Sequence, residues 1–151
     1  MDHSRAILAI GNCGRQDDGL GWAFANFLEQ ENLFFGDVFY RYQLQIEDAE
    51  LISKYDHVLF VDASRNQLPN GFDFQTLIPN YEFVLTTRAL DPQTVLYLSE
   101  FLYDHKPNAE LLQITGHHWN LEEGLTKIGK QNLHNALSYF QTQYELVRVF
   151  K

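Results

Sequence analysis

The run Val58-Leu59-Phe60-Val61, unbroken in apolar character and ended by Asp62-Ala63-Ser64, constrains this chain more than any other segment. Successive side chains of a strand point to opposite faces, so an unbroken apolar run needs cover on both. That is the condition of a central strand in a parallel sheet. A second run of the same kind, Ala6 to Ile10, stops at Gly11-Asn12 and reads as a buried strand entering a turn. Between them, Leu20, Ala23, Phe24, Phe27 and Leu28 recur at helical spacing over Leu20 to Gln30, with Asp17 and Asp18 placed where carboxylates favour a helix N-terminus.

The same alternation continues along the chain. A strand is expected over Val38 to Leu44, a short helix over Asp48 to Tyr55, and a turn with an edge strand, Phe72 to Leu77, within the Pro- and Gly-containing stretch from Arg65 to Asn80. Tyr81 to Thr87 is extended and apolar. Pro92 suits the first turn of a helix ending near Tyr103, Ala109 to Thr115 is a strand, and a last helix spans about Thr126 to Tyr144. Strand and helix in alternation predict a three-layer α/β/α sandwich with a mostly parallel sheet. Without repeats or a linker rich in Gly or Ser, residues 1–151 read as a single domain. Ligands of such sheets bind beyond the carboxyl ends of the strands, where strand order reverses. Asp18 and Asp62 both fall on that edge.

Composition narrows the function. A formal net charge of −9 disfavours a surface that must neutralise phosphates, so no nucleic-acid partner is expected. Cys13 is the single cysteine, which excludes an intramolecular disulfide and a thiolate cluster for zinc or iron. No apolar stretch approaches membrane-spanning length, and the N-terminal run leads into Asn and Gly in place of a cleavage site, so the expectation is a cytoplasmic protein without membrane association.

The first loop, Gly11-Asn12-Cys13-Gly14-Arg15-Gln16-Asp17-Asp18-Gly19-Leu20-Gly21, is rich in glycine but follows neither the dinucleotide nor the Walker spacing, and its two aspartates repel an anion. Two readings of these carboxylates stand side by side. Oxygen donors on neighbouring strands suit a divalent cation, whereas Asp17 and Asp18 can equally cap the helix, and an aspartate ending a strand can anchor the loop that follows. For Cys13 a helix N-terminus lowers a thiol pKa, but the adjacent carboxylates oppose the thiolate, and a small packing residue is expected.

The segments Ile7-Leu8-Ala9-Ile10-Gly11-Asn12 and Asp17-Asp18-Gly19-Leu20-Gly21 together resemble the opening motif of the nickel-iron hydrogenase maturation endopeptidases, and Val58 to Ala63 resembles their second motif. Gln43-Leu44 with Glu47, Ala89-Leu90-Asp91-Pro92, and Glu123-Gly124-Leu125-Thr126 fall in the order and spacing of one branch of that family, so the resemblance covers nearly the whole chain. It implies a five-stranded, largely parallel sheet and a metal-dependent endopeptidase that removes a C-terminal extension from a hydrogenase large-subunit precursor. In such an enzyme Asp18, Asp62 and a histidine would meet nickel carried by the substrate.

The histidine position is occupied by Arg88, which stays protonated and has no lone pair for a metal. His57 precedes its strand and should face the amino edge. His117 and His118 follow the strand Ala109 to Thr115 and so lie on the carboxyl edge, where either could supply the imidazole; His117 is taken as the candidate replacement ligand. Arg88 itself would offset the repulsion between Asp18 and Asp62, or bind a carboxylate of the substrate extension. The first of these roles suits a non-proteolytic homologue acting as a hydrogenase assembly or binding factor, and the second keeps the protease.

Overall fold

A computed structural model of the chain describes residues 4–82 and 90–149, with side chains as far as residue 144. Among these residues five strands form one sheet: β1 (Arg5–Ile10), β2 (Asp37–Arg41), β3 (His57–Ser64), β4 (Phe72–Thr76) and β5 (Asn108–Thr115). Their order is β2-β1-β3-β5-β4, with β4 antiparallel to β5 and the other pairs parallel. The helices are α1 (Leu20–Gln30), α2 (Glu47–Ile52), α3 (Pro92–Tyr103) and α4 (Lys127–Val149). This is the predicted three-layer sandwich, and α1 coincides with its expected span.

Side-chain alternation in the central strands divides the core. Ala6, Leu8, Val58 and Phe60 pack with Ala49 and Ile52 of α2 and Val95 and Leu96 of α3. On the opposite face Ile7, Ala9, Leu59 and Val61 pack with Phe24 and Leu28 of α1 and Leu137 and Phe140 of α4. Phe24 and Phe60 are fully enclosed, and burial of an aromatic side chain of this size contributes roughly 2–3 kcal/mol. Phe27, expected in the core, is 37% exposed, because it lies on the flank of α1 away from the sheet.

Several boundaries shift for local reasons. The second strand ends at Arg41, whose Nε pairs with Asp48 Oδ1 at 2.9 Å as the chain turns into α2, and Leu44 forms an isolated bridge with Leu90. Helix α2 stops at Ile52, after which Tyr55 closes a turn onto the Ile52 carbonyl at 3.1 Å. Asp62 was expected to end its strand, yet β3 runs on to Ser64 because Asp62 to Ser64 pair with Gln113 to Thr115. Pairing between β1 and β3 stops at Ala9 and Val61, so Asp62 is the first residue of β3 beyond that register. Of the stretch from Tyr81 to Thr87, only Tyr81 and Glu82 are described, in a turn; the remainder lies outside the described residues.

Chain order reverses at β1, which has β2 on one side and β3 on the other. The crevice between the carboxyl ends of β1 and β3 is therefore the switch point of the sheet. Gly21 lets α1 settle against it: a Cβ there would lie 2.7 Å from the carbonyl oxygens of both Ile10 and Val61.

Candidate functional site

The loop after β1 is closed by its own backbone. Gly11, at φ 146°, turns the chain out of the strand in a conformation that favours glycine, and a Cβ there would overlap the Asp18 carbonyl oxygen. Asn12 N–H donates to that carbonyl at 3.0 Å, Asp18 N–H donates to Arg15 O at 3.1 Å, and Asn12 Oδ1 accepts from Gly14 N–H at 2.9 Å. A 3₁₀ turn, Gln16–Gly19, then leads into α1. These bonds present the Asp18 side chain to the crevice.

Asp18 and Asp62 line one cavity of about 450 Å³ with Arg15, Arg65, Gln113 and Trp119. Burial raises the Asp62 pKa to about 7; the Ala63 N–H, donated to Asp62 Oδ1 at 2.8 Å, lowers it, and the charge of Asp18 raises it further. Burial also raises the Asp18 carboxyl above its ordinary value, opposed by Arg15, Arg65 and the Asn12 backbone. The predicted pair thus shares a site. Its balancing cations within the described residues are Arg15 and Arg65, a role the sequence had suggested for Arg88, which lies outside those residues.

Asp17 is a different kind of residue from its neighbour. Its fully buried carboxylate accepts from His117 N–H at 2.7 Å and His118 N–H at 3.3 Å through Oδ2. It also accepts from Thr126 N–H at 2.9 Å through Oδ1 and from Thr126 Oγ1 at 2.6 Å through Oδ2. Burial alone would raise its pKa, but these donors outweigh burial and hold the carboxyl below its ordinary range. Asp17 therefore ties the first loop to the loop after β5 and to the start of α4. Its position beside Asp18 in the sequence gave a capping reading; nothing in that spacing showed donors 100 to 109 positions away.

The two adjacent histidines pack ring against ring at 4.5 Å between centroids, and both are exposed. His117 does not complete a ligand set: no group of three or more His, Cys, Asp or Glu side chains able to hold a metal ion occurs among the described residues. The Asp17 carboxylate engages the backbone of the histidine pair and so fixes the course of their loop. His57 begins β3 and so sits at the amino edge, as expected. Cys13 is exposed, not packed, and borders a separate groove with Trp22 and Leu125.

Trp119 was not singled out by the sequence, yet it contacts both arginines of the cavity. Its ring lies 4.4 Å from Arg65 Cζ, and its carbonyl accepts from Arg15 Nη2 at 3.3 Å. A signal was present in retrospect: Arg15 and Arg65 each stand three positions from an aspartate of the pair.

Comparison of the whole fold with solved structures gives consistent matches. A [NiFe] hydrogenase maturation protease, HycI from Thermococcus kodakarensis KOD1, superposes with a TM-score of 0.68 at 20% identity, over 93% of this chain and 91% of that one. The hydrogenase maturating endopeptidase HybD from E. coli gives 0.65 at 19% identity, over 92% and 89%. The chain has the hydrogenase maturation protease fold. A [NiFe] hydrogenase maturation protease HybD from Thermococcus kodakarensis agrees, with a TM-score of 0.63 at 17% identity over 95% and 99% of the two chains. No family model matches the sequence, and no curated protein matches it significantly. The likeness is therefore one of three-dimensional arrangement, framed by the five-stranded sheet. No helix among the described residues is long and apolar enough to cross a membrane.

Proposed function

We propose that this chain is an endopeptidase that removes a C-terminal extension from a nickel-loaded hydrogenase large-subunit precursor. The observation that carries the reading is the meeting of Asp18 and Asp62 in one cavity at the switch point of a maturation protease fold. Nickel enters as part of the substrate. Two carboxylates without a third donor from the described residues make a poor site for a free ion, whereas an ion already held by the precursor needs few further ligands. Asp18 and Asp62 then serve as the recognition element, and they position the ion beside the peptide to be cut. The nickel supplies positive charge that polarises a carbonyl or a water molecule in this site.

The test is incubation of the purified chain with a nickel-loaded large-subunit precursor, followed by mass measurement of the precursor. Trimming by the wild type, lost in Asp18→Asn and Asp62→Asn, supports the reading. Trimming that persists in both variants removes the carboxylate pair from the mechanism. Stable capture of the precursor without trimming replaces the enzyme by an assembly factor, a role that suits a site with two carboxylates and no third ligand among the described residues.

A further inference from the structure

Resting on the peptide-trimming reading above, we infer that Arg15 and Arg65, joined through Trp119, form a clamp for a carboxylate of the peptide substrate. Arg15 comes from the loop after β1, Arg65 directly follows β3, and Trp119 comes from the loop after β5. Three segments converge on one rim of the cavity that holds Asp18 and Asp62.

Trp119 engages the two guanidinium groups by different chemistry. The face of its indole lies against Arg65, with 4.4 Å from Cζ to the ring centroid, while its main-chain oxygen accepts from Arg15 Nη2 at 3.3 Å. Stacking uses the flat face of a guanidinium and leaves its in-plane N–H groups directed outward. Those groups form no salt bridge with any described residue, even though two carboxylates lie in the same cavity. Both arginine side chains are exposed. The arrangement favours the charged form of Asp18 at a distance and keeps the hydrogen-bonding edges available.

A carboxylate is the group these edges fit, since a guanidinium fork donates two parallel N–H bonds to its two oxygens. On a chain with a formal net charge of −9, a pair of unbridged arginines offsets the two carboxylates of this cavity and gives an anion a local pair of cations to meet. A peptide offers the same chemistry from two sources, its terminal carboxylate or an acidic side chain.

Three peptides separate these sources in a titration of the isotope-labelled protein, followed through the Trp119 indole N–H resonance. They are acetyl-Ala-Ala-Ala with a free carboxylate, the same peptide as its C-terminal amide, and acetyl-Ala-Glu-Ala amide. The expected result is a saturable shift with at least one acidic peptide and none with the neutral amide; the stronger acidic ligand identifies the source. Arg65→Gln and Arg15→Gln should each weaken that binding about tenfold, and Arg65→Lys, which keeps the charge but not the fork, by a smaller factor. Equal shifts from the acidic and neutral peptides, or wild-type binding by both Gln variants, overturn the clamp. Because no bond is cut in this measurement, a protein that binds acidic peptides yet trims no precursor loses the protease reading and keeps the clamp. One that trims precursor but does not discriminate the peptides does the reverse.

Discussion

The charge of Asp18 adds to the burial that lifts the Asp62 carboxyl to about 7, so the two side chains of the cavity are electrostatically linked although one comes from the 3₁₀ turn after β1 and the other from β3. Asp18 feels Arg15 and Arg65, which oppose its own upward shift. Two chemically identical groups thereby acquire different proton affinities from their surroundings.

The raised pKa of Asp62 predicts a pH-dependent capture of nickel-bearing substrate. A metal must displace the carboxyl proton, so binding should strengthen as pH rises toward 7 and level off above it. Affinity for a nickel-loaded precursor, measured between pH 5.5 and 8, should show this rise in the wild type and lose it in Asp62→Asn. A flat wild-type profile would contradict the assignment of Asp62 to the ion.

The same group sets a stability difference of opposite sign. The folded carboxyl, with a pKa of about 7 against an unfolded value of 3.8, binds its proton more tightly than the unfolded chain does. The favourable contribution is complete below 3.8 and disappears as pH rises through 7. Relative to Asp62→Asn, the wild type should therefore lose on the order of 2 kcal/mol between pH 4 and pH 8, after allowance for solvent screening at a half-buried group. Denaturant midpoints of the two proteins at the two pH values measure it.

Asp17→Ala should destabilise the fold by about 3–5 kcal/mol, because four hydrogen bonds from the His117 and His118 backbone and from Thr126 lose a buried acceptor. The lowered pKa of Asp17 means that its contribution is present above pH 3.8 and is lost as pH falls through the folded value. Urea unfolding at neutral pH, and again near pH 3, checks both parts: the gap between wild type and variant should narrow in acid.

Gly21→Ala should separate α1 from the sheet. The added methyl would stand 2.7 Å from two main-chain oxygens that cannot move without breaking the β1–β3 register. A loss of roughly 1–3 kcal/mol and a marked drop in precursor trimming are expected, read by thermal unfolding and the mass assay. Cys13→Ser is the contrasting substitution. The thiol is exposed and lies outside the carboxylate cavity, so trimming should stay within about twofold of wild type.

The residues of the sheet core were legible because burial on two faces leaves an unbroken apolar run, as in Val58 to Val61, and burial on one face leaves a periodic stripe, as in α1. Asp18 and Asp62 were legible for a related reason: topology brings polar residues at the carboxyl ends of neighbouring strands to one crevice. Asp17 was not, since a buried carboxylate satisfied by remote backbone donors has the same local sequence as a helix cap. Trp119 was equally silent. A lone tryptophan in a polar loop carries no periodicity, and its value lies in where Arg15 and Arg65 reach it. Position on the correct edge does not fix the direction of an imidazole, so the sequence could not show whether His117 joins the pair, and no group of three ligating side chains occurs among the described residues.

The bonds of Asp17 also have a bearing on the order of events during synthesis. Its partners His117 and Thr126 stand 100 and 109 positions farther along the chain. Such distant closures come late in folding, after local helices and neighbouring strands have formed. A ribosome-bound fragment ending before residue 116 already contains Asp18 and Asp62 but lacks Trp119 and every partner of the Asp17 carboxylate. The bonds that fix the loop carrying Asp18 are thus withheld from the nascent chain until residues 117–126 have emerged.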